Sequence, residues 1–363
     1  MVPVNDLKRG FSLYQEEYEA KALSVLRSGW YILGEETAAF EREFAEYMGA
    51  KYAVGVDNGL NAIVLGVKAL GISKGDEVIV AANTYIATVL GVSLNGATPV
   101  FVDASEYHNI DPRKIEAAIT QRTKAVLVTH FYGQACEMGK IVEICRKRGL
   151  YLLEDCAQAH GAAYNGKLVG TFGNMGFFSF YPTKNLGGFG DGGMILTDDE
   201  ALRDKLRCLR NYGSAKRYQT EYEGHNSRLD ELQSGLLRVK LAHLPELTGE
   251  RLHIAGRYLS EIKNEKVSLP ATAAGCTHVY HLFVIQTEDR DRFIWHLRSQ
   301  GISTDIHYPT PPFLAKPYLH LGYTYQDFPM TEKLYRRIVS IPIFNGMTED
   351  EVLQVIEAVN SYE

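Results

Sequence analysis

No apolar run in this sequence approaches the ~18 residues needed to cross a bilayer. The opening stretch, MVPVNDLKRGFSLYQEE, lacks the apolar centre of a secretory leader. Disulfide chemistry is not expected either. The five cysteines, Cys136, Cys145, Cys156, Cys208 and Cys276, are odd in number, scattered and never spaced as CxxC. That excludes a zinc knuckle and points to reduced thiols in a cytoplasmic protein. Positive charge is not in excess: 38 Lys and Arg against 44 Asp and Glu give a formal net charge of −6, which offers nucleic acid no global basic field. The metal pattern HExxH and the phosphate loop GxxxxGK[ST] are both missing. His108, His130, His160, His278 and His281 therefore read as satisfied structural histidines, and no metal is expected. There are no internal repeats, low-complexity tracts or long charge runs.

What the chain does have is enough material for one large and one smaller folded unit. It runs to 363 residues, 45% apolar and 23% charged, ordinary values for a globular protein. From Tyr52 onward, short β-branched runs alternate with helical stretches: YAVGV (52–56), EVIVA (77–81), TPVFVD (98–103), KAVLVTH (124–130) and LYLLED (150–155). This alternation predicts an α/β fold with a mostly parallel sheet. The nearly continuous apolar strands predict that both sheet faces are covered. MGFFSFY (175–181) and MILTDD (194–199) follow as two strands joined by a glycine-rich loop. A long helical region from about Arg228 to Lys263 leads into VYHLFVIQ (279–286), a helix near 291–299, ISTDIHY (302–308) and two final helices. We expect a large domain over 1–245 and a small α+β domain over 246–363.

Ligands of open α/β sheets sit beyond the carboxyl ends of the strands. The residues there are Asn58-Gly59, Thr84-Tyr85, His130, Asp155 and Lys184. Lys184 follows an apolar strand in SFYPTKNLGGFGDGG. Pro182 stops that strand and the glycines let the chain turn. A lysine pinned and partly desolvated in this way can form a Schiff base, although spacing alone fits a solvated loop lysine better. Asp155 ends another apolar strand. Buried, it needs a cationic partner, for which a protonated pyridine nitrogen would serve; capping the next helix is an equal alternative. Asn58-Gly59-Leu60 lies at a strand-to-helix turn whose free N–H groups suit a phosphate, to which Ser179 could add a hydroxyl. Tyr85 could lay its ring on a flat cofactor, or belong to the core. Gly188, Gly190 and Gly193 match GxGxxG but lead into a strand instead of opening a helix, so a dinucleotide fingerprint is rejected. The basic stretch RCLRNYGSAKRY (207–218) reads as a solvated surface able to reach a pyrophosphate.

Several stretches together carry a specific resemblance: VGVDNGLNAIVLGVKALGISKGDEVIV, GATPVFVDA, HFYGQACEM, EDCAQAHGAAYNGK, FSFYPTKNLGGFGDGG, GHNSRLDELQ, VYHLFVI and GISTDIHYP. Over nearly its whole length the chain resembles the sugar aminotransferases of the DegT/DnrJ/EryC1/StrS family. The resemblance implies the aspartate-aminotransferase (type I) fold, pyridoxal 5′-phosphate as cofactor, its pyridoxamine form as intermediate, and glutamate as amino donor. It also implies roles: Lys184 as the Schiff-base lysine, Asp155 on the pyridine nitrogen, Gln158 on the ring hydroxyl and Tyr85 stacked on the ring. Gly59, Leu60 and Ser179 would hold the phosphate. Asn226 would reach the phosphate in a neighbouring subunit, making the protein a homodimer with shared sites. Two departures stand out: Asn58-Gly59-Leu60 replaces the family's NGT, losing one hydroxyl worth ~1 kcal/mol, and EDCA replaces EDAA, with Cys156 a small buried filler. Lysine at 184, where related dehydratases carry histidine, implies amino transfer.

VNDLKRGF, FYPTKN and DIHYPTPP resemble members acting at C3 of dTDP-3-keto-6-deoxyhexoses, with Tyr181, His307 and Tyr308 lining the sugar pocket. The alternative is a C4 aminotransferase of UDP- or dTDP-4-keto sugars. Two other classes are weighed: a cofactor-binding regulator without turnover, which the Lys184–Asp155–Gln158 set argues against, and a nicotinamide oxidoreductase, which the misplaced glycines argue against.

Overall fold

The computed structural model describes residues 1–216 and 218–363; Arg217, inside the basic stretch, lies outside the described residues. Seven strands form the main sheet: β1 (Tyr52–Val56), β2 (Glu77–Ala81), β3 (Thr98–Val102), β4 (Thr123–Thr129), β5 (Tyr151–Asp155), β6 (Met175–Ser179) and β7 (Gly193–Thr197). Their order across the sheet is β1-β7-β6-β5-β4-β2-β3. The pairs β2–β3, β2–β4, β4–β5 and β5–β6 are parallel, and β7 runs antiparallel to both its neighbours. Residues 188–193 thus feed a strand, as the rejection of the dinucleotide fingerprint requires.

The apolar strands are buried because helices cover both faces. The helix Gly59–Ala69 packs so closely that a Cβ on Gly66 would lie 2.3 Å from the Phe177 ring. On the other face, a cluster of Phe44, Phe178, Phe180 and Leu237 ties the helices Glu35–Met48 and Glu231–Ala242 to the sheet. The long helical region of the sequence is two helices, Glu231–Ala242 and Leu244–Glu261, meeting at His243.

A second core gathers Tyr258, Phe283, Phe293, Val339 and Val355 around a three-stranded antiparallel sheet. Its strands are β8 (Val267–Ser268), β9 (Phe283–Thr287) and β10 (Ile338–Ile341). Two expectations shift here. ISTDIHY forms no strand: Ile302 and Asp305 make single bridges, to Val2 and Ser340, while the strand beside β9 is 338–341. And Val2, from the far end of the chain, is buried in this second core, while Arg9 forms a double hydrogen bond with Glu351 at 2.5 and 2.8 Å. The N-terminal segment is therefore strapped to the C-terminal part. Phe131, Tyr132, Leu282 and Leu334 join the two bodies.

Candidate active site

Because β1, β2, β4, β5 and β6 run parallel, their carboxyl ends emerge on one edge, and a cleft of about 690 Å³ opens there against β9 and β10. Asn58, Tyr85, Asp155 and Lys184 line it. His130 does not. It is fully buried, accepts from the Cys136 N–H through Nδ1 at 3.0 Å and faces Glu154 through Nε2 at 3.2 Å. Glu154 also accepts from the N–H groups of Gly170, Phe172 and Gly173 at 2.7, 2.7 and 2.8 Å. With Cys156, His130 and Glu154 are the group whose donor atoms lie closest to a metal-binding arrangement, yet hydrogen bonds already occupy the carboxylate.

Asp155 sits at the floor of the cleft, 5% exposed. One oxygen accepts from the Thr88 hydroxyl at 2.6 Å and the other from the Ala157 N–H at 3.0 Å. Thr88 is linked to Thr84 at 2.8 Å and Thr84 to Thr129 at 2.7 Å, a file of buried hydroxyls that can polarise one another toward the carboxylate. Burial raises the Asp155 pKa, against the pull of these donors and of Lys184.

Lys184 is held by a tight loop. Its N–H donates to Tyr181 O at 2.8 Å, Gly188 N–H to Phe180 O at 2.8 Å, and the Asn185 amide to Val279 O at 3.0 Å. A Cβ on Gly187 would stand 2.3 Å from Pro182 O, so this turn requires glycine. The Lys184 amine has no hydrogen-bond partner among the described residues. Burial pushes its pKa down to about 8, against the attraction of Asp155, so a fraction of the amine is an unprotonated nucleophile near neutrality.

At the mouth of β1, the Asn58 side chain caps the helix Gly59–Ala69 by accepting from Asn61 N–H at 2.8 Å. The Gly59 and Leu60 N–H groups, in the first turn, have no intrahelical acceptor. Ser179 closes in so tightly that a Cβ on Gly59 would lie 2.7 Å from its Cβ. The result is an N–H-lined cradle at a helix start.

The sequence pattern of the DegT/DnrJ/EryC1/StrS aminotransferase family matches residues 13–360. The chain belongs to this family. It is 50% identical, over all of its length and 99% of the relative's, to the dTDP-3-amino-3,6-dideoxy-alpha-D-galactopyranose transaminase of Aneurinibacillus thermoaerophilus. It is 44% identical, over 99% of its length and 96% of the relative's, to the dTDP-3-amino-3,4,6-trideoxy-alpha-D-glucose transaminase of Streptomyces venezuelae. The X-ray structure of S. venezuelae DesV in complex with a ketimine intermediate superposes with a TM-score of 0.97 at 44% identity, covering 99% of this chain and 98% of that one.

The cleft fits the cofactor of this aminotransferase family on three counts: an N–H cradle for a phosphate, a buried carboxylate with no salt bridge among the described residues, and an amine tuned toward neutrality. The remaining expected residues divide. Gln158, 4% exposed, accepts from Tyr132 N–H at 2.7 Å and donates to Tyr308 Oη at 3.1 Å. Tyr85 and Tyr308 meet with ring centroids 4.6 Å apart, tilted 36°. His307 Nδ1 lies 2.9 Å from Ser340 Oγ, and its carbonyl accepts from the Tyr132 hydroxyl. Tyr181 stands on the rim, 53% exposed. Asn226 is exposed and outside the cleft, bridged to Asn211.

Sequence reasoning passed over Thr88, Asn5 and Asp305, all brought in by tertiary folding, although Thr88 follows Tyr85 by one helical turn in NTYIAT. It also misread His281. That ring lines the cleft, 6% exposed, with Nδ1 unpartnered and its pKa held well below the usual histidine value by burial. It is not a satisfied structural histidine, because the segment 279–282 crosses the cleft wall before joining β9.

Proposed function

We propose that this aminotransferase moves an amino group from glutamate to C3 of a dTDP-linked 3-keto-6-deoxyhexose, using pyridoxal 5′-phosphate. The observation that carries the reading is Lys184, with a pKa of about 8, in one cleft with the buried Asp155. When bound, the cofactor supplies an electron sink for a carbanion beside the transferred nitrogen.

The protein's residues supply everything else. Lys184 would hold the cofactor through its amine and, once released, would move a proton between the substrate carbon and the cofactor carbon as base and then acid. Asp155 keeps the ring nitrogen protonated, and Thr88 keeps Asp155 ionised. Gln158 addresses the ring hydroxyl and Tyr85 the ring face. The Gly59 and Leu60 N–H groups with Ser179 bind the phosphate. Tyr181, His307 and Tyr308 line the sugar's side of the cleft.

Asn226 is exposed and does not line its own cleft, which suits a residue lent to the site of a second subunit. A strip of exposed apolar residues, Leu23, Leu26, Trp30, Tyr31 and Ile32, supports a homodimer, since such strips normally seek cover. No helix among the described residues is long and apolar enough to cross a membrane, and all five cysteines are free thiols; a cytoplasmic site of action agrees with both.

The test is incubation with glutamate and a panel of dTDP- and UDP-linked 3-keto and 4-keto sugars, with the product carbon read by NMR. A 3-amino product from the dTDP substrate is expected. Amination only at C4, or only of UDP sugars, would overturn the assignment.

A further inference from the structure

Beside the cleft, and sharing Asn5, Thr183 and Lys184 with it, lies a second cavity of about 400 Å³ whose Lys240 and Arg251 have no part in the proposed amino transfer. One side is aromatic: Phe11, Tyr18 and Phe189 pack with centroids 4.9 to 5.9 Å apart. The other side presents Lys240 and Arg251, from two successive helices.

These two cations are poorly compensated. Arg251 is 4% exposed. It donates Nη1 to the carbonyls of Tyr280 and Ile343 at 3.1 and 3.2 Å and Nε to Asn345 Oδ1 at 3.1 Å, while Nη2 has no acceptor among the described residues. Lys240, with three donors to satisfy, has one bond, to Gly187 O at 3.2 Å. Neither forms a salt bridge among the described residues. The two carboxylates nearby are engaged: Glu250 accepts from the Asn345 amide and the Gly346 N–H, both at 2.7 Å, and Asp6 accepts from the N–H groups of Lys8 and Arg9 at 3.0 and 3.2 Å. Burial lowers both cations: Lys240 to about 8, with repulsion from Arg251 adding to it, and Arg251 to about 10, against the attraction of Glu250. Two like charges withdrawn from water, with Glu250 acting on Arg251 only from outside salt-bridge distance and no ion pair formed among the described residues, are unfavourable unless an anion joins them.

We propose that this cavity is a binding site for a small oxyanion, a carboxylate or phosphate group with a short apolar body. Lys240 and the free Nη2 edge of Arg251 would grip the charged end and the three aromatic rings would cover the rest. The site adjoins the loop that carries Lys184, so its occupant contacts the wall of the catalytic cleft without lying in it.

The test is calorimetric titration of the pyridoxal-phosphate-loaded protein, whose cofactor phosphate cradle is filled, with inorganic phosphate and, separately, with glutarate. At least one should bind at one site per chain, and which of them binds separates a phosphate ligand from a carboxylate. Lys240→Met should weaken that binding by about tenfold or more, since a charge-assisted contact is lost, while Lys240→Arg should retain it. Lys240→Met should also melt at a higher temperature than the parent in chloride alone, because an uncompensated charge is gone. Absence of binding by both ligands, or equal binding by Lys240→Met, would overturn the proposal.

Discussion

The Thr88 hydroxyl donates to Asp155 across 2.6 Å at the floor of the cleft. This one contact ties a helix cap region after β2 to the acid at the end of β5. Burial raises the Asp155 pKa, and Thr88 and the Ala157 N–H are the main local groups that pull it back. Thr88→Val keeps the shape and removes the donor. Hydrogen bonds to charged groups contribute about 1.5–3 kcal/mol, so cofactor affinity should fall roughly tenfold or more. A protonated Asp155 cannot pair with a cationic ring nitrogen, so cofactor retention should weaken as pH falls through its raised pKa. In Thr88→Val that decline should begin at higher pH. Identical pH profiles by cofactor absorbance would refute the coupling.

Lys184 gives a stability signature that does not depend on turnover. Its folded pKa is depressed to about 8 from 10.5. Between those values the unfolded chain binds the proton that the folded chain refuses, so this residue's contribution to cofactor-free stability rises from pH 8 to 10.5 and is lost as pH falls back toward 8. In urea titrations at pH 8 and pH 10, Lys184→Met should be relatively more stable than the parent at pH 8, with the gap narrowing at pH 10. The same variant should be inactive, and borohydride treatment of the loaded parent should fix the cofactor mass on the Lys184 peptide alone.

Gly59 and Ser179 leave no room for a methyl group, because the added Cβ would lie 2.7 Å from Ser179 Cβ and 3.2 Å from its Cα. Gly59→Ala should cost about 1–3 kcal/mol of stability by overpacking and distort the phosphate cradle. Adding Ser179→Gly should recover part of the stability without restoring cofactor affinity, since the hydroxyl is then missing. Full recovery of both would show that the cradle tolerates displacement.

Tyr308 accepts from Gln158 at 3.1 Å, and its own O–H has no acceptor among the described residues, which leaves it free to donate to a ligand. Tyr308→Phe should raise KM for the sugar about fivefold to tenfold, the loss of one neutral hydrogen bond, while the glutamate half-reaction stays within about twofold. An equal fall in both half-reactions would move Tyr308 from the sugar to the cofactor.

The main sheet was readable in the sequence because its strands are continuous apolar runs, a pattern set by burial on both faces. The smaller sheet was not: ISTDIHY alternates like a strand, but IVSI at 338–341 takes the place beside β9. Nothing local distinguishes them, since pairing is decided by which segment the second core can bury. Likewise Asn5 and Val2 carry no motif, yet the N-terminal strap delivers one to the cleft and the other to the far core.

The amino-acid order alone determined the α/β class and placed Lys184, Asp155 and the Asn58-Gly59-Leu60 helix start beyond strand ends, because strand ends and their turn residues are local in sequence; the roles proposed for them came from the resemblance to the family. Tertiary structure alone decided that Thr88 supports Asp155, that His281 faces the cleft with a nitrogen unmet, and that Lys240 and Arg251 share a cavity. Those relations join segments tens to hundreds of residues apart, and electrostatic pairing and burial depend on distance in space, which spacing along a chain does not encode.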